Sequence, residues 1–183
     1  MGYGIEGNKV RLVPVNMDRH MENCVRWLND PDVTANLAIG AYPLTQAAER
    51  AYFENLEKGS KTDVVFAIET LEGRHIGMSG VHQIDMVSRT AKTGSLIGET
   101  ELHGQGLGTE SAWLRAKYCF EVLNLRVIYS EFLDGNSKSK RMQEKCGYRI
   151  WGVKPAAIYK NGKYFDLHET VLFREEWEKL KRP

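Results

Sequence analysis

The sequence predicts an α+β domain around one mixed sheet, and three observations carry that expectation. Helical periodicity fills the first third of the chain. From residue 64 onward short β-rich runs dominate, broken by turn residues. One glycine-marked strand-to-helix transition, at residues 96–123, interrupts them. No internal repeat, linker or low-complexity tract divides the 183 residues, so a single domain over 1–183 is expected.

Taken in order, Val10, Leu12 and Val13 predict a first strand that ends near Pro14. Residues 18–28 follow as a helix with Met21, Val25 and Leu28 on one face. Asn29, Asp30, Pro31 and Asp32 break it and start a short helix over 33–37, and Tyr42-Pro43 is a second break. Thr45 caps a helix over 46–57 with Ala48, Tyr52 and Leu56 on one face, ended by Gly59-Ser60. Strands are expected over 64–68, 76–84 and 90–98, the first two joined by a turn at 71–74. After the glycines comes a helix with Ala112, Ala116, Phe120 and Leu123 on one face, then a strand over 125–133. Residues 137–146 read as a helix stopped by Gly147. A strand over 148–153 follows, and Asn161-Gly162 marks a hairpin whose last strand spans 164–173.

Composition excludes several classes. Apolar content of 42% and charged content of 27% are those of an ordinary soluble globular protein, which makes a cytoplasmic location the expectation. A net charge of +1 supplies no basic field, and no basic patch is interleaved with aromatics, so no nucleic-acid partner is expected. No apolar run approaches the ~18–20 residues of a membrane span. The first twelve residues lack a basic segment followed by an apolar core. After Met1-Gly2, Glu6 stands where a myristoylation signal needs Ser or Thr. Cys24, Cys119 and Cys146 form neither a metal spacing nor an even disulfide set. They read as reduced thiols, Cys119 and Cys146 in the core, and no metal is expected. Trp27, Tyr42, Trp113 and Trp151 read as core or cleft wall.

The glycine transition is the candidate functional stretch. Gly104, Gly106 and Gly108 let the chain turn tightly and let a ligand approach the main chain, with the N–H groups of a helix start behind them. That chemistry suits a phosphate or pyrophosphate. A nucleotide-triphosphate loop needs a lysine after its glycines; here Thr109 and Glu110 follow, so that reading falls. A dinucleotide site, with Glu131 on a ribose, would make the chain an NAD-dependent oxidoreductase, but the glycine spacing is G-x-G-x-G and strand–helix alternation is missing on both sides. A turn that merely packs a helix on a sheet is the bland alternative.

His103, Gly104, Gln105, Gly106, Leu107 and Gly108 resemble the Q/R-x-x-G-x-G/A signature of the GNAT N-acetyltransferases, and more closely their RimJ/RimL-like branch. Trp27-Leu28-Asn29-Asp30-Pro31 is similar to that branch's W-L-N-D-P segment. Asn136, Ser139 and Lys145-Cys146-Gly147-Tyr148 are similar to its N-x-x-S and E-K-x-G-F patterns. Gly152 and Asn161-Gly162-Lys163 with Asp166 resemble its C-terminal hairpin. The resemblance covers nearly the whole chain. It implies the acyl-CoA N-acyltransferase fold, a mixed, mostly antiparallel central sheet of about seven strands flanked by helices. It also implies acetyl-CoA as donor, with the pantetheine between two splayed strands against the main chain of Leu96, Ile97 and Gly98. The pyrophosphate would lie on the loop His103, Gly104, Gln105, Gly106, Leu107, Gly108 and Thr109.

The implied reaction is direct attack of a primary amine, from a protein N-terminus or a small molecule, on the thioester. Ser139 is the implied proton donor to the leaving thiolate. Asn136 is implied to contact pantetheine or amine, beside its simpler role as a helix cap. Lys140 or Arg141 would meet the coenzyme 3′-phosphate, beside the simpler reading of a solvated helix face. The base departs from the family pattern, because Lys92 and Ile158 occupy the usual carboxylate positions; Glu99, Glu101, Asp85 and His82 are the remaining candidates. That departure keeps a non-catalytic acyl-CoA-binding module open. Dimerisation is common in the family, and the sequence specifies no interface.

Overall fold

The computed structural model describes residues 4–39 and 42–180. The Met1-Gly2 start lies outside them. The described residues form one eight-stranded sheet in the order β1-β2-β3-β4-β5-β6-β8-β7. Its strands are β1 Ile5–Glu6, β2 Val10–Pro14, β3 Val64–Thr70, β4 His75–Asp85, β5 Thr90–Ile97, β6 Val127–Leu133, β7 Arg149–Lys160 and β8 Lys163–Phe173. Every neighbouring pair is antiparallel except β5 and β6. About seven strands were expected; β1 makes the eighth, and two residues are too short for an alternation to show.

Helices cover both faces. α1 Met17–Leu28, α2 Pro31–Thr34 and α3 Gln46–Glu57 lie on one face. There Cys24, Trp27, Val33 and Phe53 form a satellite core with Met78 and Leu96 of the sheet. α4 Leu107–Lys117, which widens into a π-helical turn over Tyr118–Val122, and α5 Ser137–Lys145 lie on the other face over the main core. α6 Arg174–Trp177 closes the chain, seating Trp177 beside Trp113 and Phe120.

Local chemistry explains these boundaries. Asn16 caps α1 by accepting from the Arg19 N–H, Asp30 caps α2 with Pro31 as its first residue, and Thr45 caps α3 by accepting from Ala48 N–H. The short helix therefore runs 31–34 rather than 33–37, because Asp30-Pro31 is itself the start signal. Gly59 and Gly147 take positive φ at helix ends, and Asn161 and Gly162 at φ 49° and 80° make the tight turn of the last hairpin.

Two helix faces differ from expectation. α1 buries His20, Cys24 and Trp27, while Met21, Val25 and Leu28 are half-buried. α3 buries Glu49 and Phe53, while Ala48 and Tyr52 are exposed. Phe53 fixes α3 to the satellite core, so Phe53→Ala would cost about 3–5 kcal/mol. The expected face over Ala112, Ala116 and Phe120 is fully buried. Of the four aromatics, Trp27 and Trp113 are buried and Trp151 lines the cavity described below, but Tyr42 is 88% exposed and is neither core nor wall. All three cysteines are buried and free.

Candidate active site

The site begins where the sheet comes apart. β5 and β6 pair over only three positions, Thr90 with Val127, Ala91 with Ile128 and Lys92 with Tyr129. Beyond them, side chains take over the bonds the ladder drops. Thr93 Oγ1 donates to Tyr129 O at 3.0 Å and shares a hydrogen bond with Tyr148 Oη, and Ser130 Oγ donates to Thr93 O at 3.0 Å. Fully buried Arg115 of α4 reaches Ser79 Oγ and Gly94 O, and its Nε has no partner among the described residues. The resulting gap opens a cavity of about 1770 Å³ lined from both faces of the sheet.

On the α4 face the wall is largely main chain. Gly104 and Gly106 have φ of 83° and 84°, a conformation that costs an L-residue about 1–2 kcal/mol. Gly106 is the N-cap of α4 and no side chain caps that helix, so its first N–H groups point outward with the positive helix end behind them. The loop is braced from several sides. Glu110 accepts from the N–H groups of Asn8, Lys9 and Val10, and Lys9 Nζ donates to Gln105 O. His103 Nε2 donates to Ile97 O, which leaves Nδ1 to accept from Lys138 Nζ.

Along β5, the Gly98 N–H donates to Ile76 O. Antiparallel alternation then turns the main-chain groups of Leu96 and Gly98 toward β4, and those of Ser95 and Ile97 toward the gap. This corrects the expectation that Leu96 and Gly98 offer their main chain there; an added Cβ on Gly98 would in fact strike Trp27 at 2.0 Å. Leu96 lines the cavity by its side chain, with Ile97, His103, Gly104, Gly106, Leu107, Gly108 and Thr109. Gln105 does not line it, and Lys140 faces away toward Tyr148 and Thr170, so the cations that face the cavity from α5 are Lys138, Arg141 and Lys145.

The α5 start carries the two residues expected to act. Asn136 lines the cavity, but its amide is engaged: Oδ1 accepts from Ser139 N–H at 3.0 Å and Nδ2 donates to Asn36 O. Ser139 Oγ accepts from Gln143 Nε2 at 3.1 Å, which leaves the hydroxyl proton free to donate into the cavity. Gln143 also donates to Glu131 O and accepts from Thr170 Oγ1, so it is held on three sides.

On the α1–α3 face the wall is made of side chains. Gly80 and Gly94 sit opposite each other in β4 and β5 and leave the sheet bare there. The His82 ring lies over Gly80, whose missing Cβ would fall 2.2 Å from Nε2. His82 Nδ1 is 3.0 Å from Asp63 Oδ1, and Asp63 is held below the usual carboxylate range first by the Thr62 hydroxyl, then by His82. With Nδ1–H directed at Asp63, Nε2 is the free acceptor on the cavity side.

Glu49, 5% exposed, also lines this wall, and burial pushes its carboxyl above the ordinary value. Cys24 beside it is pushed up to about 12 by burial and by the Glu49 charge. The sequence reading missed Glu49, Arg115 and Gln143. The available signal for Glu49 was Phe53 four residues on, an aromatic that would otherwise have faced solvent.

The other base candidates are engaged elsewhere. Burial raises the Glu99 carboxyl, but Arg26, Trp27 and Arg74 outweigh it and hold it below the ordinary value as an ion-pair hub. Glu101 pairs with Arg74, and Asp85 accepts from the N–H groups of Val87 and Ser88. The dinucleotide alternative fails on topology, because a single parallel pair replaces the doubly wound parallel sheet it requires. Residues 36–39, which line the cavity, are held by Lys160 at the hairpin end of β7, which donates to the carbonyls of Thr34, Leu37 and Ile39. Among the described residues no cluster of metal-ligating side chains occurs, and no helix is long and apolar enough to cross a membrane.

Comparison with known proteins agrees with this geometry. Residues 9–149 match the model of the GNAT acetyltransferase domain. A relative from Bacillus subtilis (strain 168) named "Putative ribosomal N-acetyltransferase YdaF" is 33% identical over 107 residues; the match spans 58% of this chain and 58% of that protein's length. Two solved structures share the fold. Vibrio cholerae spermidine N-acetyltransferase in complex with CoA and spermine has a TM-score of 0.84 at 19% identity, covering 94% of this chain and 100% of that one. Mycobacterium smegmatis RimJ in complex with CoA-disulfide has a TM-score of 0.81 at 18% identity, covering 94% and 85%.

Proposed function

Because this chain belongs to the GNAT acetyltransferase family, we propose that it is an N-acetyltransferase that moves acetyl from acetyl-CoA to a primary amine by direct attack. The observation that carries this reading is the gap between β5 and β6, which opens one cavity to both faces of the sheet. The RimJ/RimL-like branch is the finer assignment, supported by the YdaF and RimJ likenesses.

The chain's own groups divide the work. The donor contributes its acetyl group as a thioester, an electrophilic carbon with a thiolate leaving group. The N–H groups at the start of α4 suit its pyrophosphate, and Lys138 and Arg141 suit its further phosphate. The outward main-chain groups of Ser95 and the N–H of Ile97 suit its amides. In the transfer, the amine nitrogen forms a bond to the acetyl carbon as the carbon–sulfur bond breaks. His82 Nε2 takes the proton the amine loses, with Asp63 supporting the imidazolium, and the sulfur leaves as the thiolate, stabilised by a hydrogen bond that the Ser139 hydroxyl donates. Asn136 acts through Ser139, holding the turn that presents it. Cys24 is the thiol on the cavity wall, and a thiol raised to about 12 is a poor nucleophile near neutral pH, which favours direct attack over a covalent relay.

The His82–Asp63 pair supplies the proton acceptor whose absence would have favoured a non-catalytic acyl-CoA-binding module. Thiol release from acetyl-CoA against a panel of primary amines separates the two. Amine-dependent release is the expected result. Tight coenzyme binding without release for every amine would overturn the catalytic reading.

A further inference from the structure

We propose that Glu49 selects the acceptor by pairing with a second, non-reacting cationic nitrogen, so that the preferred acceptors are small aliphatic diamines and longer polyamines. The inference rests on the acetyl-transfer reading above and names its acceptor class.

Glu49 is 95% removed from solvent yet lines the cavity, and none of the described residues gives it a hydrogen bond or an ion pair. The other buried carboxylates show how this fold treats one it keeps for structure. Glu69 is met by Arg11, Arg19 and His20, and Glu99 by Arg26, Arg74 and Trp27. A carboxylate largely removed from water without such partners is disfavoured in its charged form, and any cation that reaches it relieves that. The cavity is the open approach to Glu49. The wall around it, Cys24, Leu28, Ala48 and Tyr52, matches a hydrocarbon chain rather than a peptide backbone.

The paired nitrogen is not the one acetylated. An ion pair with Glu49 favours the protonated amine, whereas attack requires the neutral one. Proton removal belongs to His82 on β4, a separate point of the same wall. The acceptor therefore spans two stations, a charged nitrogen at Glu49 and a neutral nitrogen near His82.

The test uses the full chain with 1,4-diaminobutane and butylamine, equal in chain length and different in the second charge. The wild type is expected to prefer the diamine by about tenfold in KM, the worth of one well-formed charge pair of about 1.4 kcal/mol. Glu49→Gln is expected to erase that preference while butylamine KM and coenzyme affinity stay unchanged, and Glu49→Asp to restore part of it. An equal KM for both amines in the wild type overturns the proposal without any variant. So does a preference that survives Glu49→Gln, or a loss equal for both amines. Calorimetry of the diamine on the coenzyme-loaded protein keeps the two readings apart. Diamine binding that needs Glu49 but gives no turnover counts against acetyl transfer alone, and absent diamine binding counts against the role of Glu49.

Discussion

The two walls of the cavity are built by different means. The α4 wall presents main chain, the uncapped helix start behind Gly106 and the outward groups of Ser95 and Ile97. The α1–α3 wall presents side chains, Glu49 and the His82–Asp63 pair, beside a sheet left without side chains at Gly80 and Gly94. A main-chain wall tolerates side-chain change and is broken by shape. A side-chain wall keeps its shape and is broken by chemistry.

Substitutions can break that contrast, and they rank by expected effect. Gly106→Val places a β-branched residue at φ 84° and bulk on the helix start; a loss of coenzyme affinity of about a hundredfold or more is expected by calorimetry, and unchanged affinity would remove the donor assignment. His82→Gln removes the proton acceptor on the opposite wall; kcat should fall by roughly 10²-fold, with coenzyme affinity unchanged. A matching loss of coenzyme affinity would show that the walls are not separate. Ser139→Ala should lower kcat by about tenfold in thiol release, the worth of one hydrogen bond to the leaving thiolate, with no change in amine KM.

The smallest effect sharpens the contrast through pH. His75 lies under α1, where it touches Trp27 and His20 and accepts from Asn23. Burial first, then the His20 charge, lowers its pKa from 6.5 to about 4. A folded pKa below the unfolded one means that the unfolded chain takes the proton first. Stability is therefore complete above about pH 6.5 and declines as pH falls toward 4. A decline on the order of 1 kcal/mol should appear in Tm near pH 5.5 and diminish in His75→Gln. Persistence of the full decline in that variant would assign the acid sensitivity elsewhere.

This contrast also explains what the chain disclosed before its structure. Gly104, Gly106, Thr45 and Asn161-Gly162 were legible because each answers a backbone demand at its own position, a positive φ or an uncapped N–H. The faces of α1 and α3 were misread for the opposite reason. Ala48, Tyr52 and Leu28 recur at helical spacing, and apolar spacing does not tell a core from the wall of a cavity. Glu49 and His20, which neither expected face includes, are among the buried residues of those helices. The gap itself was hidden from pattern reading, because there the Thr93 and Ser130 hydroxyls replace ladder bonds by donating to main-chain carbonyls 36 and 37 residues away.

A passage with a doorway on each face of the sheet also bears on the order of traffic. In the proposed reaction the coenzyme would come and go past the glycine loop and the amine past α3, so neither would block the other's exit. Direct attack, with no acyl group parked on the protein, then requires both substrates aboard together before anything departs. Double-reciprocal rate plots at several fixed amine concentrations should intersect rather than run parallel.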